Sequence, residues 1–119
     1  MTVTKQIRME PEARKQQLLL KGLEMAVADG LGSVNRVQLG KACGVTDGLV
    51  SKYFGNAQGM YTAIVVLAAK EKQIDVIADA LQMGHRLDEI VPAAALKRAK
   101  SEVKRRVREE IEAQTAAYA

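Results

Sequence analysis

The chain has 119 residues, enough for one compact domain or a small domain with an extension. Hydrophobic residues make up 48%, yet tryptophan is absent and the aromatics are Tyr53, Phe54, Tyr61 and Tyr118, so the core is expected to be aliphatic, which suits packed helices better than sheets. The net charge of +4 and isoelectric point near 9.3 hint at an anionic partner, the single Cys43 excludes an intrachain disulfide or a cysteine-rich zinc site, and no apolar run is long enough to span a bilayer.

Residues 1–10 show no periodicity and are expected to form a flexible arm. They also lack the apolar run of a secretory signal, which with the lone cysteine points to a cytoplasmic setting. Pro11 suits the first turn of a helix and Glu12 suits its positive end; Leu18, Leu19, Gly22, Met25 and Ala26 then recur at helical spacing. Gly30 closes this helix at about 11–29. Asn35, with Gln38 three residues on, has the pattern of a capping box for a short helix at about 36–42. Gly44 breaks it and is free to take positive φ, and Thr46 caps a second short helix at about 46–53. After Gly55 and Asn56, a stripe of Met60, Ile64, Leu67, Ile74, Ala78 and Leu81 predicts one long helix over about 57–83, ended by Gly84. Leu87, Ile90 and Val91 suggest a short helical turn before Pro92. From Ala93 the stripe Leu96, Ala99, Val103, Val107, Ile111 predicts an amphipathic C-terminal helix.

Two short helices joined by a glycine turn have the layout of a helix-turn-helix, whose second helix enters the DNA major groove N-terminus first. In the stretch "GVTDGLVSKYF", Gly44 makes the turn, and Val45 and Val50 point inward and set the angle between the helices. Thr46 satisfies free N–H groups at the helix start. Gly48 keeps side chains away where backbone must approach DNA, and Ser51 and Lys52 face outward toward bases or phosphates. Tyr53 and Arg36 are placed to meet phosphates. Gln38 and Lys41 flank the site. Asp47 either serves the helix dipole or accepts from a cytosine amino group.

The segments "LLLKGLEMAVADG" and "NRVQLGKACGVTDGLVSKYFGNAQGMY" resemble the DNA-binding domain of the TetR family of repressors, over about residues 12–65. The chain departs from the family pattern at Asp47, where a basic or neutral residue is usual, and at Ser51, where tyrosine is frequent. It departs again at Gly40, where an apolar residue or alanine is common, and at the "NAQG" stretch, which replaces a frequent lysine. The resemblance implies an all-α fold: a three-helix bundle with helix-turn-helix over residues 11–56, then a helical extension, 57–119, used for dimerisation. It implies a sequence-specific repressor that binds double-stranded DNA as a homodimer. Too few residues follow Val65 to enclose a conventional inducer pocket of roughly 300–1,000 Å³, so no small-molecule inducer is expected. The alternatives are an architectural or partition-type DNA protein and a helical protein-interaction adaptor.

The remaining features take modest readings. Cys43 is expected to be a small packing residue and His85 to sit exposed at a helix end, without the partners a metal site needs. Residues 97–108 carry seven Lys or Arg against one Glu. A second nucleic-acid contact is one reading. The other, which is the expectation, is a solvated face whose cations pair with Glu102, Glu109, Glu110 and Glu112. No nucleophile elbow, phosphate loop or paired catalytic carboxylates support an enzyme, and no cofactor is implied.

Overall fold

A computed structural model describes residues 10–118; the arm expected at the N-terminus therefore lies, apart from Glu10, outside the described residues. Among these the fold is all-α, with six α-helices, one short 3-10 turn and no strand. The helices are α1 (Pro11–Asp29), α2 (Arg36–Cys43), α3 (Asp47–Phe54), α4 (Ala57–Lys70), α5 (Ile74–Gln82) and α6 (Ala93–Ala117), with the 3-10 turn at Leu31–Ser33. No helix among the described residues is long and apolar enough to cross a membrane.

Local chemistry sets most helix ends. Asn35 accepts from Gln38 N–H at 2.8 Å, Thr46 from Leu49 N–H at 3.2 Å and Asn56 from Gly59 N–H at 2.9 Å, so α2, α3 and α4 each start on a side-chain cap. At the end of α2, Gly44 adopts φ 72°, and the Val45 N–H donates back to the Gly40 carbonyl at 2.8 Å while the Gly44 N–H donates to Lys41 at 3.3 Å. These are the two bonds of a Schellman closure.

The single long helix expected over 57–83 is two helices. Lys72 takes φ 58° at the break, the Lys72 N–H donates to Ala69 and the Gln73 N–H donates to Ala68 at 2.8 Å. This is a second Schellman closure, with lysine where glycine is usual, at a cost of about 1 kcal/mol or somewhat more. Burial accounts for it. Val76, Ile77, Ala78 and Ala80 of α5 are all buried, so α5 is apolar around most of its circumference. Continued straight from α4, that surface would face water. The break folds α5 between α4, α6 and the 3-10 turn, and each fully buried Val or Ile contributes about 1.5–3 kcal/mol.

One core cluster runs without interruption from Leu18 on α1 to Ala99 on α6. Met60 and Ile64 of α4 are buried in the same cluster as Leu18, Leu39 and Val50, so residues 11–56 and 57–119 share a core. The stripe on α4 is thus covered within the chain, which leaves α6 as the exposed apolar helix of the extension.

Polar ties complete the junction. Asp79 Oδ2 accepts from the Leu31 N–H at 3.0 Å, and its Oδ1 accepts from Arg106 Nη1 at 2.7 Å. Arg106 also donates to Glu102 at 2.9 Å and to Gln82 at 2.9 Å. The first half of α6 is therefore fastened along α5 by Leu96, Ala99 and Arg106, whereas Val107 and Ile111 are 44% and 57% exposed as the helix runs past its support. His85 is half-buried, not exposed as expected: after the Gly84 turn its ring packs 5.5 Å from Tyr61, and its Nε2 is shut off from solvent with no hydrogen-bond partner. Tyr61 in turn donates its hydroxyl to the Val34 carbonyl at 2.9 Å, which pins α4 to the stretch of chain leading into α2.

Candidate nucleic-acid interface

The two short helices α2 and α3 meet at the Gly44–Thr46 turn. Leu39 on α2 and Val50 on α3 are both fully buried and fix the inner faces against each other and against α1 and α4. Val45 is half-buried beside them. Gly40 matters most to this closeness: a Cβ there would lie 2.7 Å from the Val45 carbonyl oxygen and 3.3 Å from Asp47 N, so α2 can lie this near the turn only without a side chain at 40. Glycine at 40 is thus what the packing of these two helices requires.

The outer edge of α3 is open. Thr46, Asp47, Gly48 and Lys52 are exposed, and Lys52 makes no ion pair among the described residues. Thr46 is the observed cap. Asp47 occupies the first turn, where a carboxylate suits the positive end of the helix. Gly48 differs from Gly40 in kind. The nearest atom to a Cβ at 48 is Thr46 Oγ1 at 3.7 Å, an ordinary contact, so nothing inside the protein demands glycine there. A glycine within a helix costs up to about 1 kcal/mol relative to alanine, less in the first turn where Gly48 sits, and no close contact among the described residues offsets it.

Two of the anticipated residues are arranged differently from expectation. Ser51 does not point freely outward: it is half-buried, and its hydroxyl accepts from Arg36 Nη1 at 2.7 Å. That bond holds the Arg36 guanidinium beside the second turn of α3 and ties the first residue of α2 to that helix. The guanidinium has further N–H donors beyond this bond. Tyr53 is half-buried, with part of its side chain packed against the core. Gln38 is exposed in the first turn of α2, where its backbone N–H serves the Asn35 cap, and Lys41 is exposed in the last. The Arg36–Ser51 link had no sequence signal, since it depends on how α2 crosses α3.

Cys43 is partly buried, and burial pushes its thiol above the ordinary range against the smaller opposing pull of Lys21 and Arg14. It is a poor candidate for a reactive thiolate. No group of three or more His, Cys, Asp or Glu residues among the described residues could hold a metal ion. A shallow apolar groove on α6 is lined by Val103, Lys104, Val107, Arg108, Ile111 and Glu112, all from one helix, and is open surface.

No protein-family model matches the chain, and neither a curated protein nor a solved structure is significantly similar to it.

Proposed function

We propose that the protein is a sequence-specific DNA-binding repressor of the TetR type, in which α2 and α3 form the helix-turn-helix and α3 reads the major groove. The observation that carries this reading is the contrast between the two faces of α3. Val50 is sealed against the core, while Gly48 and Lys52 on the opposite side of the helix, with Thr46 and Asp47 at its N-terminal end, are presented to solvent, and Gly48 gives up helix stability for an unobstructed backbone. The resemblance over residues 12–65 supports the same assignment. Lys52 supplies a contact to a base or a phosphate, and Arg36, steadied by Ser51, a phosphate contact.

The protein acts as a dimer, because one module of this size contacts a single half-site and a two-fold pair gains a second on the same face of the duplex. The exposed Val107 and Ile111 on α6, with the partly buried Val103 one turn before them, offer an apolar surface for pairing. Repression follows from occupying an operator. No small-molecule inducer is required by this scheme, and a cytoplasmic location accords with it.

Selection of binding sites from random and genomic DNA tests the reading. A recovered palindrome is the expected result, with binding that weakens steeply as salt rises. Uniform coating of DNA would favour an architectural role, and no duplex binding at low salt would refute DNA recognition altogether. Lys52→Ala should weaken operator binding by about 1–3 kcal/mol if Lys52 reads a base, or weaken all duplexes equally if it touches phosphate.

A further inference from the structure

The seven cations between Lys97 and Arg108 were expected to be neutralised by neighbouring glutamates. The structure divides them unequally. Glu102 is engaged by both Arg105 and Arg106, and Glu109 by Arg105. Arg98, off to one side, is exposed and makes no ion pair among the described residues, and the same is true of the four residues Lys97, Lys100, Lys104 and Arg108. The spacing of three, four and four residues sets Lys97, Lys100, Lys104 and Arg108 in a single row along α6, successive residues about 4.5–6 Å apart along the axis and the whole row about 16 Å long. Each is the helical neighbour of the next, so the row is a succession of like-charge neighbours that work against the helix. Of the acids nearby, only Glu112 stands one turn from the row, and at its far end. Water and salt screen such a row, and an external anion with repeated charges would relieve it further.

We propose that the row Lys97, Lys100, Lys104 and Arg108 is a sequence-independent contact for the phosphate backbone of duplex DNA, separate from α3. A duplex strand presents a phosphate about every 3.4 Å of helix axis, so a row of this length faces several at once. The side chains suit that role: three are flexible ammonium groups that track charge without fixed geometry, and no amide side chain in the row is placed to read a base edge. An anionic membrane fits less well, because the apolar row beside the cations consists of two valines and an isoleucine, without an aromatic anchor among them. The assignment rests on the charge geometry of α6 and holds whether or not α3 reads a sequence.

The test uses the full chain carrying Lys97→Gln, Lys100→Gln, Lys104→Gln and Arg108→Gln together. A control removes four cations elsewhere, as Lys15→Gln, Lys70→Gln, Lys72→Gln and Arg86→Gln, for the same change in net charge. Binding to a random-sequence duplex is followed by fluorescence anisotropy across a salt series, with helix content and melting checked by circular dichroism. The row variant should bind about tenfold or more weakly, and its salt dependence should flatten by about 0.9 for each phosphate that the row no longer neutralises. The control should change little. An unchanged slope in the row variant, or an equal weakening in the control, would overturn the proposal. So would an effect confined to phosphatidylserine vesicles, or a dimer that falls apart only in the row variant during sedimentation, which would give the face to a membrane or to a second copy. Lys52→Ala on α3 is measured alongside: if only that variant loses binding, the row fails and the helix-turn-helix reading survives, and the reverse result separates them the other way.

Discussion

Gly40 and Gly48 stand eight residues apart, each inside a short helix, and the same substitution should have opposite effects at the two. A Cβ on Gly40 would come within 2.7 Å of the Val45 oxygen, 3.2 Å of Thr46 C and 3.3 Å of Asp47 N. All three are backbone atoms, so no side-chain rotation gives way. Restoring ordinary packing distances moves α2 and the turn apart by about 0.7–1 Å, which stretches the Val45–Gly40 hydrogen bond from its present 2.8 Å. Overpacking costs about 1–3 kcal/mol, here about 2–3 because only backbone can give way, and alanine in a helix returns about 1 kcal/mol. Gly40→Ala should therefore lose about 1–2 kcal/mol net, a melting point lower by about 3–8 °C for a chain of this size. At Gly48 the nearest atom is 3.7 Å away, so Gly48→Ala keeps the helix gain and should be about 0.5–1 kcal/mol more stable than the parent. Reversible urea unfolding followed by circular dichroism measures both. Gly40→Ala as stable as the parent, or Gly48→Ala less stable, would refute the reasoning. Gly48→Ala should also bind its operator more weakly despite folding better, because its methyl enters the space the proposed reading leaves for the duplex.

Val50→Asp should unfold the α2–α3 pair, since it buries an unpaired charge at a position with no solvent exposure; a cooperative melting transition like the parent's would show that α3 is oriented otherwise. A double-mutant cycle with Arg36→Ala and Ser51→Ala should return a coupling of about 0.5–1.5 kcal/mol in stability, and strict additivity would mean the bond contributes nothing. Hydrogen bonds from Arg105 and Arg106 hold the Glu102 carboxyl well below its ordinary value near 4.5, at about 2. A folded-state value below the unfolded one gives stability that is complete above about 4.5 and lost as pH falls toward 2. The stability gap between the parent and Glu102→Gln should therefore narrow across that window in acid unfolding titrations; a constant gap would contradict it.

The readable parts of this chain are those set by short-range chemistry. Asn35, Thr46 and Asn56 each cap a helix through a backbone N–H three residues away, and Gly44 closes α2 by a conformation its own lack of a side chain permits. Such signals lie within three or four residues, so they survive in a bare sequence. The division of 57–83 does not. "KEKQ" contains neither glycine nor proline, and Leu67 and Ile74 stay in helical register across it. What breaks the helix there is the advantage of covering α5 on several sides, which only the assembled core supplies. The same holds at the candidate site. The open edge of α3 follows from the pattern around Val50, but the Arg36–Ser51 bond spans 15 residues and the Arg106–Asp79 bond 27. The helical period of α6 sets Lys97, Lys100, Lys104 and Arg108 in one row, yet which of its cations would be paired depended on Arg106 turning toward α5 and drawing Glu102 with it.

The overhang of α6 has a hydrodynamic consequence. The chain measures 66 × 32 × 21 Å, and its radius of gyration is 17.1 Å. A compact chain of 119 residues would have about 13.5 Å, and a compact chain reaching 17.1 Å would contain about 220 residues. One extended copy of this protein should therefore elute from a gel-filtration column near the position of a globular protein almost twice its mass, so subunit number has to be weighed, by sedimentation equilibrium or light scattering, rather than sized.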